Sequence, residues 1–350
     1  MAFSNIPSGS GIWVFAEHEN GKLHPVVYEL LDEARRLAAD LREEVSCVFL
    51  VRNAIEDPRG PEAAALEALK ACGADRIYVV ENNVFARLQD EPCAAALAGL
   101  ASRYRPSILL VGATALGRSL APRVAARLDT GLTAECVELE IDGESRLLIQ
   151  TRPAFGANVM ASITCPVRRP QMATIRPGIL KAKGQAGLAR AGLNGTESGQ
   201  VIKVDMNITE PLVRLIEHVN ETCGGENLAD AGIIVAGGRG VGSAENFALI
   251  RELACALGGA VGATRPVVDA GWAPESSLIG QTGHVVSPKL YIACGISGAI
   301  QHMVGISSAD IIVAINRDAS APIFRYATYG IVGDVMQVVP ALLDALKEGA

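Results

Sequence analysis

Apolar residues in this chain gather into short runs of strand length, separated by stretches of helical period, and the alternation recurs along most of its length. Gly11–Ala16 predicts a first strand. From Pro25 to Leu41, the residues Val26, Leu30, Leu31, Ala34, Leu37, Ala38 and Leu41 fall on one helical face. Val45–Val51 predicts the next strand, Pro61–Ala71 an alanine-rich helix ending before Gly73, Arg76–Val80 a third strand, and Cys93–Tyr104 another helix. Ser107–Gly112 then predicts a fourth strand, followed by the loop Ala113–Ser119 and the helix Leu120–Leu128. Strands alternating with helices in this way predict a doubly wound α/β domain.

From Thr130 the texture changes. Thr133–Ile141, Leu147–Thr151, Asn158–Thr164 and Gln171–Ile175 read as short strands with polar or Gly/Pro breaks, which predicts antiparallel pairing. Pro177–Gln200 is rich in Gly, Ala and Lys and poor in large apolar side chains, the composition of a mobile excursion. Val201–Ile208 resumes a strand and Glu210–Glu221 predicts an amphipathic helix. The expected division is therefore an N-terminal α/β domain over residues 1–208 and a second domain over 209–350, with a hinge near 208–230.

The chemistry gathers in the last third. Ile233–Ala236, Leu290–Ala293 and Ile311–Ile315 are apolar runs that each stop at a loop rich in Gly, Ser, Asn or Asp. In parallel α/β sheets ligands sit beyond such carboxyl ends. Two loops have the make-up of anion seats: Gly237–Gly242, and Gly295–Gly298 running into Ala299–His302. Glycine lets backbone N–H groups approach a phosphate closely, and a following helix adds its positive end. Either loop alone is as readily a tight strand–helix turn, but together, at the ends of neighbouring strands, they suit a dinucleotide.

Composition narrows the classes. A chain of 350 residues exceeds one ordinary core, so two domains are expected. The net charge of −7, with Lys and Arg scattered, speaks against nucleic acid as a partner. No apolar run reaches the length of a membrane span, and the start of the chain lacks the pattern of a signal peptide. Eight cysteines form no CxxC pair, which predicts buried thiols in a reducing cytoplasm and no metal or iron–sulfur centre. Trp13 and Trp272 read as packing residues, Arg118 and Arg123 as a solvated helix face, and His18, His24 and His218 as residues without a site.

The stretches GGRGVGSAENF, VGATRPVVDAGW, GQTG, SPKLYIACGISGAIQH, IVAINRDASAPIF and YGIVGD resemble the α subunit of electron-transfer flavoprotein. The likeness extends more loosely through GATALGRSLAPRVAARL and TRPAFGAN. It implies an N-terminal nucleotide-hydrolase-like α/β domain without cofactor that docks on a β subunit, and a C-terminal Rossmann-like parallel-sheet domain that binds FAD. It also implies a carrier without catalytic residues of its own, passing electrons from acyl-CoA dehydrogenases to a quinone reductase. The segments GIWVFAE, TRPAFGAN and RPQMATIRPG are more similar to the flavin-bifurcating bacterial branch. There a second FAD, in the β subunit, takes hydride from NADH, and ferredoxin or flavodoxin is an acceptor.

The resemblance also implies a site. Arg239 would cradle the FAD diphosphate with Gly238 and Gly240, and Ser297, Gly298, Ala299 and Ile300 would offer it N–H groups. Asn316 and Asp334 would serve the adenosine half, and Val335 would also contact the cofactor. Thr264 and Arg265 would place a guanidinium over the flavin ring. Gly280, Gln281, Thr282 and Gly283 would line its edge with the threonine hydroxyl near N5, and Gln301 and His302 would flank the pyrimidine side. His284 reads as a surface residue or one behind the site, with a second imidazole near the ring as the alternative, and His302 has a plainer alternative as a core histidine bonded to a backbone carbonyl. Rival readings are an NAD-utilising or other nucleotide-binding Rossmann-like enzyme, which needs a catalytic His or Asn in a cleft, and a subunit that has lost its cofactor.

Overall fold

The computed structural model describes residues 9–53, 59–154, 159–180, 199–208, 213, 228, 231–306 and 309–348. The chain divides into two compact units, Met1–Arg214 and Leu215–Ala350.

The first unit is built on β1 (Ile12–Phe15), α1 (Pro25–Leu41), β4 (Val45–Val51), α2 (Pro61–Ala71), β5 (Arg76–Glu81), α3 (Asp90–Tyr104), β6 (Ile108–Gly112) and α4 (Ala115–Arg127), with a small hairpin of β2 (His18–Glu19) and β3 (Lys22–Leu23). Beyond them come β7 (Leu132–Cys136), β8 (Glu138–Ile141), β9 (Leu148–Ala154), β10 (Val159–Ile163), β11 (Gln171–Ile175) and β12 (Gln200–Lys203). A seven-stranded sheet runs β12-β5-β4-β1-β6-β11-β7, every pair parallel. Its strands are apolar throughout because both faces are covered. Ile12 and Val14 enter one core with α1, while Trp13 and Phe15 enter the other with α3 and α4. The start of α1 is set by the His24 ring, which accepts the Val26 N–H, and by Pro25 in the first turn; Arg42 ends it in a left-handed conformation.

The antiparallel expectation holds for one part only. β8, β9 and β10 form a three-stranded antiparallel sheet, but the predicted strand Thr133–Ile141 splits into β7 and β8, which belong to different sheets. Gln171–Ile175, expected to be antiparallel, is instead a fully buried parallel strand between β6 and β7. Its polar residues, which suggest a solvent face, are buried and bonded: Gln171 Oε1 accepts the Leu148 N–H at 2.9 Å, and Thr174 Oγ1 accepts the Glu135 N–H at 2.9 Å. Most of Pro177–Gln200, the helix expected over Glu210–Glu221 and nearly all of the expected hinge lie outside the described residues.

The second unit contains β13 (Ile233–Gly237), α5 (Phe247–Ala256), β14 (Ala260–Ala263), α6 (Arg265–Asp269), β15 (Leu290–Cys294), α7 (Ile300–Met303), β16 (Ile311–Asn316), β17 (Tyr329–Val332) and α8 (Val335–Glu348). Its five strands run β14-β13-β15-β16-β17, again all parallel. Ile234, Ala236, Tyr291 and Ala293 pack on one face; Val235, Ile292 and Cys294 meet Phe247 and Ile250 of α5 and Val339 of α8 on the other. The register sets Gly237, Ala263, Cys294 and Ile315 level, so the loops that follow converge at one end of the sheet. Among the described residues no helix is long and apolar enough to cross a membrane, and no cluster of His, Cys, Asp and Glu has the make-up of a metal site.

Candidate functional site

The loops after β13 and β15 lock onto each other through their backbones. Gly238 N–H donates to Cys294 O at 2.8 Å, Gly240 N–H to Gly295 O at 3.0 Å, and Gly295 N–H to Ile315 O at 2.8 Å. A Cβ at Gly240 would stand 2.8 Å from Gly295 Cα, and Gly295 itself sits at φ +63°. Glycine is required here because two chains pass at backbone distance. Arg239 rides the 3-10 turn Arg239–Val241 above this junction. The helix the sequence places next is delayed on β13, where α5 opens only at Phe247, and on β15 it is the single turn Ile300–Met303.

A cavity of about 650 Å³ lies over these loops. Of the residues anticipated from sequence it brings together Arg239, Gly240, Thr264, Arg265, Gly280, Gln281, Thr282, Ser297, Ala299, Gln301, His302, Asn316, Asp334 and Val335. Three stand outside its wall. Gly283 packs against Leu278, Gly298 (φ +85°) against Ile323, and Ile300 is 47% exposed on the far side of its turn. The His284 ring is likewise not part of the wall. Sequence reading missed Leu278, Ile279, Ile296, Arg317, Asp318 and Pro322. The apolar ones carry no chemical signal, whereas Arg317 follows Asn316 at a strand end, where a third cation can be read from the sequence.

Several of these side chains are held by the protein. Arg265 Nη2 donates to Thr282 Oγ1 at 3.0 Å, which leaves the threonine's own hydroxyl hydrogen free for another acceptor. Gln281 N–H donates to Gln301 O at 2.7 Å and ties the Gly280–Thr282 loop to α7. Asn316 is used at both ends of its amide: Nδ2 donates to Ile296 O at 2.9 Å and Oδ1 accepts the Asp318 N–H at 2.9 Å. Asp334 Oδ1 accepts the Met336 N–H at 2.9 Å and so caps α8.

His302 is 7% exposed and both its nitrogens are engaged. Nδ1 lies 3.1 Å from Ile279 O and Nε2 lies 3.0 Å from the Tyr291 hydroxyl. A carbonyl only accepts, so Nδ1 carries the proton and Nε2 takes the hydrogen of Tyr291. Burial pushes the ring's pKa down to about 4, so it is neutral at physiological pH. This is the core-histidine alternative, at a position that still contributes to the wall. Four other singled-out residues have partners within the fold. Trp13 stacks on Tyr78, His18 bonds Leu50 O, and Arg118 and Arg123 pair with Glu135 and with Asp90 and Glu91.

The arrangement fits a dinucleotide. Three arginines, Arg239, Arg265 and Arg317, line the cavity, which stands beyond the carboxyl ends of parallel strands. The N–H groups of Arg239, Ala299 and Gln301 donate to no described protein acceptor. The volume lies in the usual range of ligand sites.

Comparison with known proteins gives the family. The family model described as the electron transfer flavoprotein domain matches residues 12–208, and that described as the electron transfer flavoprotein FAD-binding domain matches 227–307. The chain is 49% identical over 339 residues to the electron transfer flavoprotein subunit alpha of Thermoanaerobacterium thermosaccharolyticum, covering 96% of this chain and 98% of that one. It is 43% identical over 346 residues to protein FixB of Clostridium saccharobutylicum, covering 98% of each. With protein FixB of Bradyrhizobium diazoefficiens it shares 44% identity over 341 residues, 96% of this chain and 88% of the relative. The chain thus belongs to the electron-transfer flavoprotein α-subunit family, and FAD is its cofactor.

Proposed function

We propose that this protein, paired with a β subunit, carries electrons from a dehydrogenase to an acceptor on an FAD seated in the cavity at the end of the second sheet. The observation that carries the reading is the Arg265–Thr282 pair at the wall of a cavity whose floor is two interlocked glycine loops. FAD supplies the redox chemistry, so the protein needs no catalytic acid or base. Its residues bind and tune. Arg239, Arg317 and the unspent N–H groups of Ala299 and Gln301 hold the diphosphate. Asp334 keeps one carboxylate oxygen for ribose hydroxyls. Arg265 sets positive charge beside the flavin ring, and Thr282 offers it a hydroxyl hydrogen. Because both ring nitrogens of His302 are taken by Ile279 and Tyr291, the side-chain amides of Gln281 and Gln301, which bond no described residue, join Thr282 as polar groups available to the ring edge. The rival NAD-utilising enzyme needs a free His or Asn in the cleft, and His302 and Asn316 are both committed to the fold.

The β subunit has a suitable landing place. Among the described residues β10 pairs on one side only, and Val159, Met160 and Ile163 are 51%, 52% and 40% exposed. An open apolar edge of this kind is completed by a strand of another chain. Within this function the finer reading is flavin-based bifurcation, with acyl-CoA dehydrogenase and ferredoxin or flavodoxin as partners; it rests on the segments GIWVFAE, TRPAFGAN and RPQMATIRPG.

The test is to co-purify the two subunits and count flavins and AMP per heterodimer. One FAD with AMP identifies a simple carrier to a quinone reductase. Two FAD, reducible by NADH, identify a bifurcating complex. A complex without flavin ends the proposal.

A further inference from the structure

We propose that Asp269 and Glu275 are positioning residues for Arg265, and that they lower the electron affinity of the flavin by partly cancelling the guanidinium charge beside it. The inference rests on the reading of the cavity as the flavin site.

The guanidinium is shared between two surroundings. Nη2 reaches the cavity wall and donates to Thr282 Oγ1 at 3.0 Å. Nη1 lies 3.6 Å from Glu275 Oε1 and 3.9 Å from Asp269 Oδ1. Asp269 stands one turn on from Arg265 in α6, on the same helical face. Glu275 opens the 3-10 turn Glu275–Ser277, where the chain comes back to the end of β14: Leu278 N–H donates to Glu275 O, and Ile279 N–H to Ala263 O. Neither acid lines the cavity, so both act on a ligand only through Arg265 and through space.

The attenuation is selective. Of the three arginines on the wall, Arg265 alone has carboxylate partners among the described residues; Arg239 and Arg317 have none. Two cations thus keep full strength for phosphate groups while the one assigned to the redox-active ring is tempered. The side chains of Asp269 and Glu275 are 63% and 80% exposed, so the contacts add little to folding stability and are open to salt. Their effect at the ring has a definite sign. Arg265 favours the electron-rich form of the flavin, the carboxylates oppose it, and removing either acid leaves the cation less compensated.

The experiment is a redox titration of the flavin-loaded heterodimer carrying Glu275→Gln, Asp269→Asn or both. Each variant is expected to favour reduced over oxidised flavin by up to about fivefold, roughly 40 mV for one electron. The shift should shrink as ionic strength rises. Arg265→Ala is expected to lower the potential, and in that background the two acid substitutions should have no further effect, since they work through the guanidinium. A merely structural role would alter thermal stability or flavin content without this sign. A downward or absent shift, or an equal shift without Arg265, overturns the inference. If the heterodimer holds no flavin, the functional reading fails on its own. The brace is then decided on the flavin-free chain by nitrogen NMR of the Arg265 guanidinium: faster N–H exchange in Glu275→Gln and Asp269→Asn supports it, and unchanged exchange overturns it.

Discussion

At the scale of single residues, two buried titratable groups pull stability in opposite directions with pH. His302 has its folded pKa lowered to about 4 by burial, against 6.5 for the free ring. The unfolded chain therefore binds a proton first as pH falls, and stability is lost between about pH 6.5 and 4. The amount is on the order of 3 kcal/mol, and His302→Gln should lack it in urea unfolding of the flavin-free chain. Glu29 is 7% exposed, and burial pushes its carboxyl up to about 7, although the Gly178 N–H donates to it. Here the folded state holds the proton, so its contribution is present below pH 4.5 and is lost as pH rises through about 7. Glu29→Gln should gain on the parent by about 3 kcal/mol between pH 4 and 8. A difference that did not change with pH would refute the assignment. Neither effect is legible in the sequence. The partner of His302 is a tyrosine inside the apolar run Leu290–Cys294, and that of Glu29 is a backbone N–H 149 positions away.

At the scale of elements, the strand ends show what patterning can and cannot reveal. Apolar runs broken by glycine located the loops, because a parallel sheet buries both strand faces and must turn sharply at its carboxyl end. The pattern did not reveal that those loops hold each other, since a backbone-to-backbone contact leaves no side-chain signature. Nor did it separate Gly240, whose neighbour is another loop on the cavity wall, from Gly283 and Gly298, whose neighbours are Leu278 and Ile323. Gln171–Ile175 misled for the converse reason, because a buried and bonded Gln and Thr imitate the polar half of an alternating strand. The interlock makes a prediction of its own. Gly295→Ala forces a side chain into a φ of +63° against Gly240. It should cost on the order of 1–3 kcal/mol and reduce FAD retained through purification; full retention with unchanged melting would show the junction to be loose.

At the scale of the whole molecule, both units were legible as α/β because their alternation is strong, and the added antiparallel sheet was legible in outline. Its significance was not: exposure of Val159, Met160 and Ile163 together becomes visible only once β10 is seen to pair, among the described residues, on one side. Met160→Glu places a charge on that edge and should leave the chain folded and able to bind FAD while abolishing co-purification with the β subunit. Unimpaired recovery of the pair would move the interface elsewhere.

The locked glycine loops also bear on how the cofactor is acquired. The hydrogen bonds that shape the floor of the cavity run from protein to protein, so the seat is paid for by the fold and not by the ligand. Uptake of FAD then needs no coupled folding of the floor, and release followed by reconstitution should be reversible. Binding adds to the resistance of the second unit by mass action alone. Each tenfold rise in free FAD above its dissociation constant is worth about 1.4 kcal/mol, and the melting temperature of that unit should climb with the logarithm of the FAD concentration.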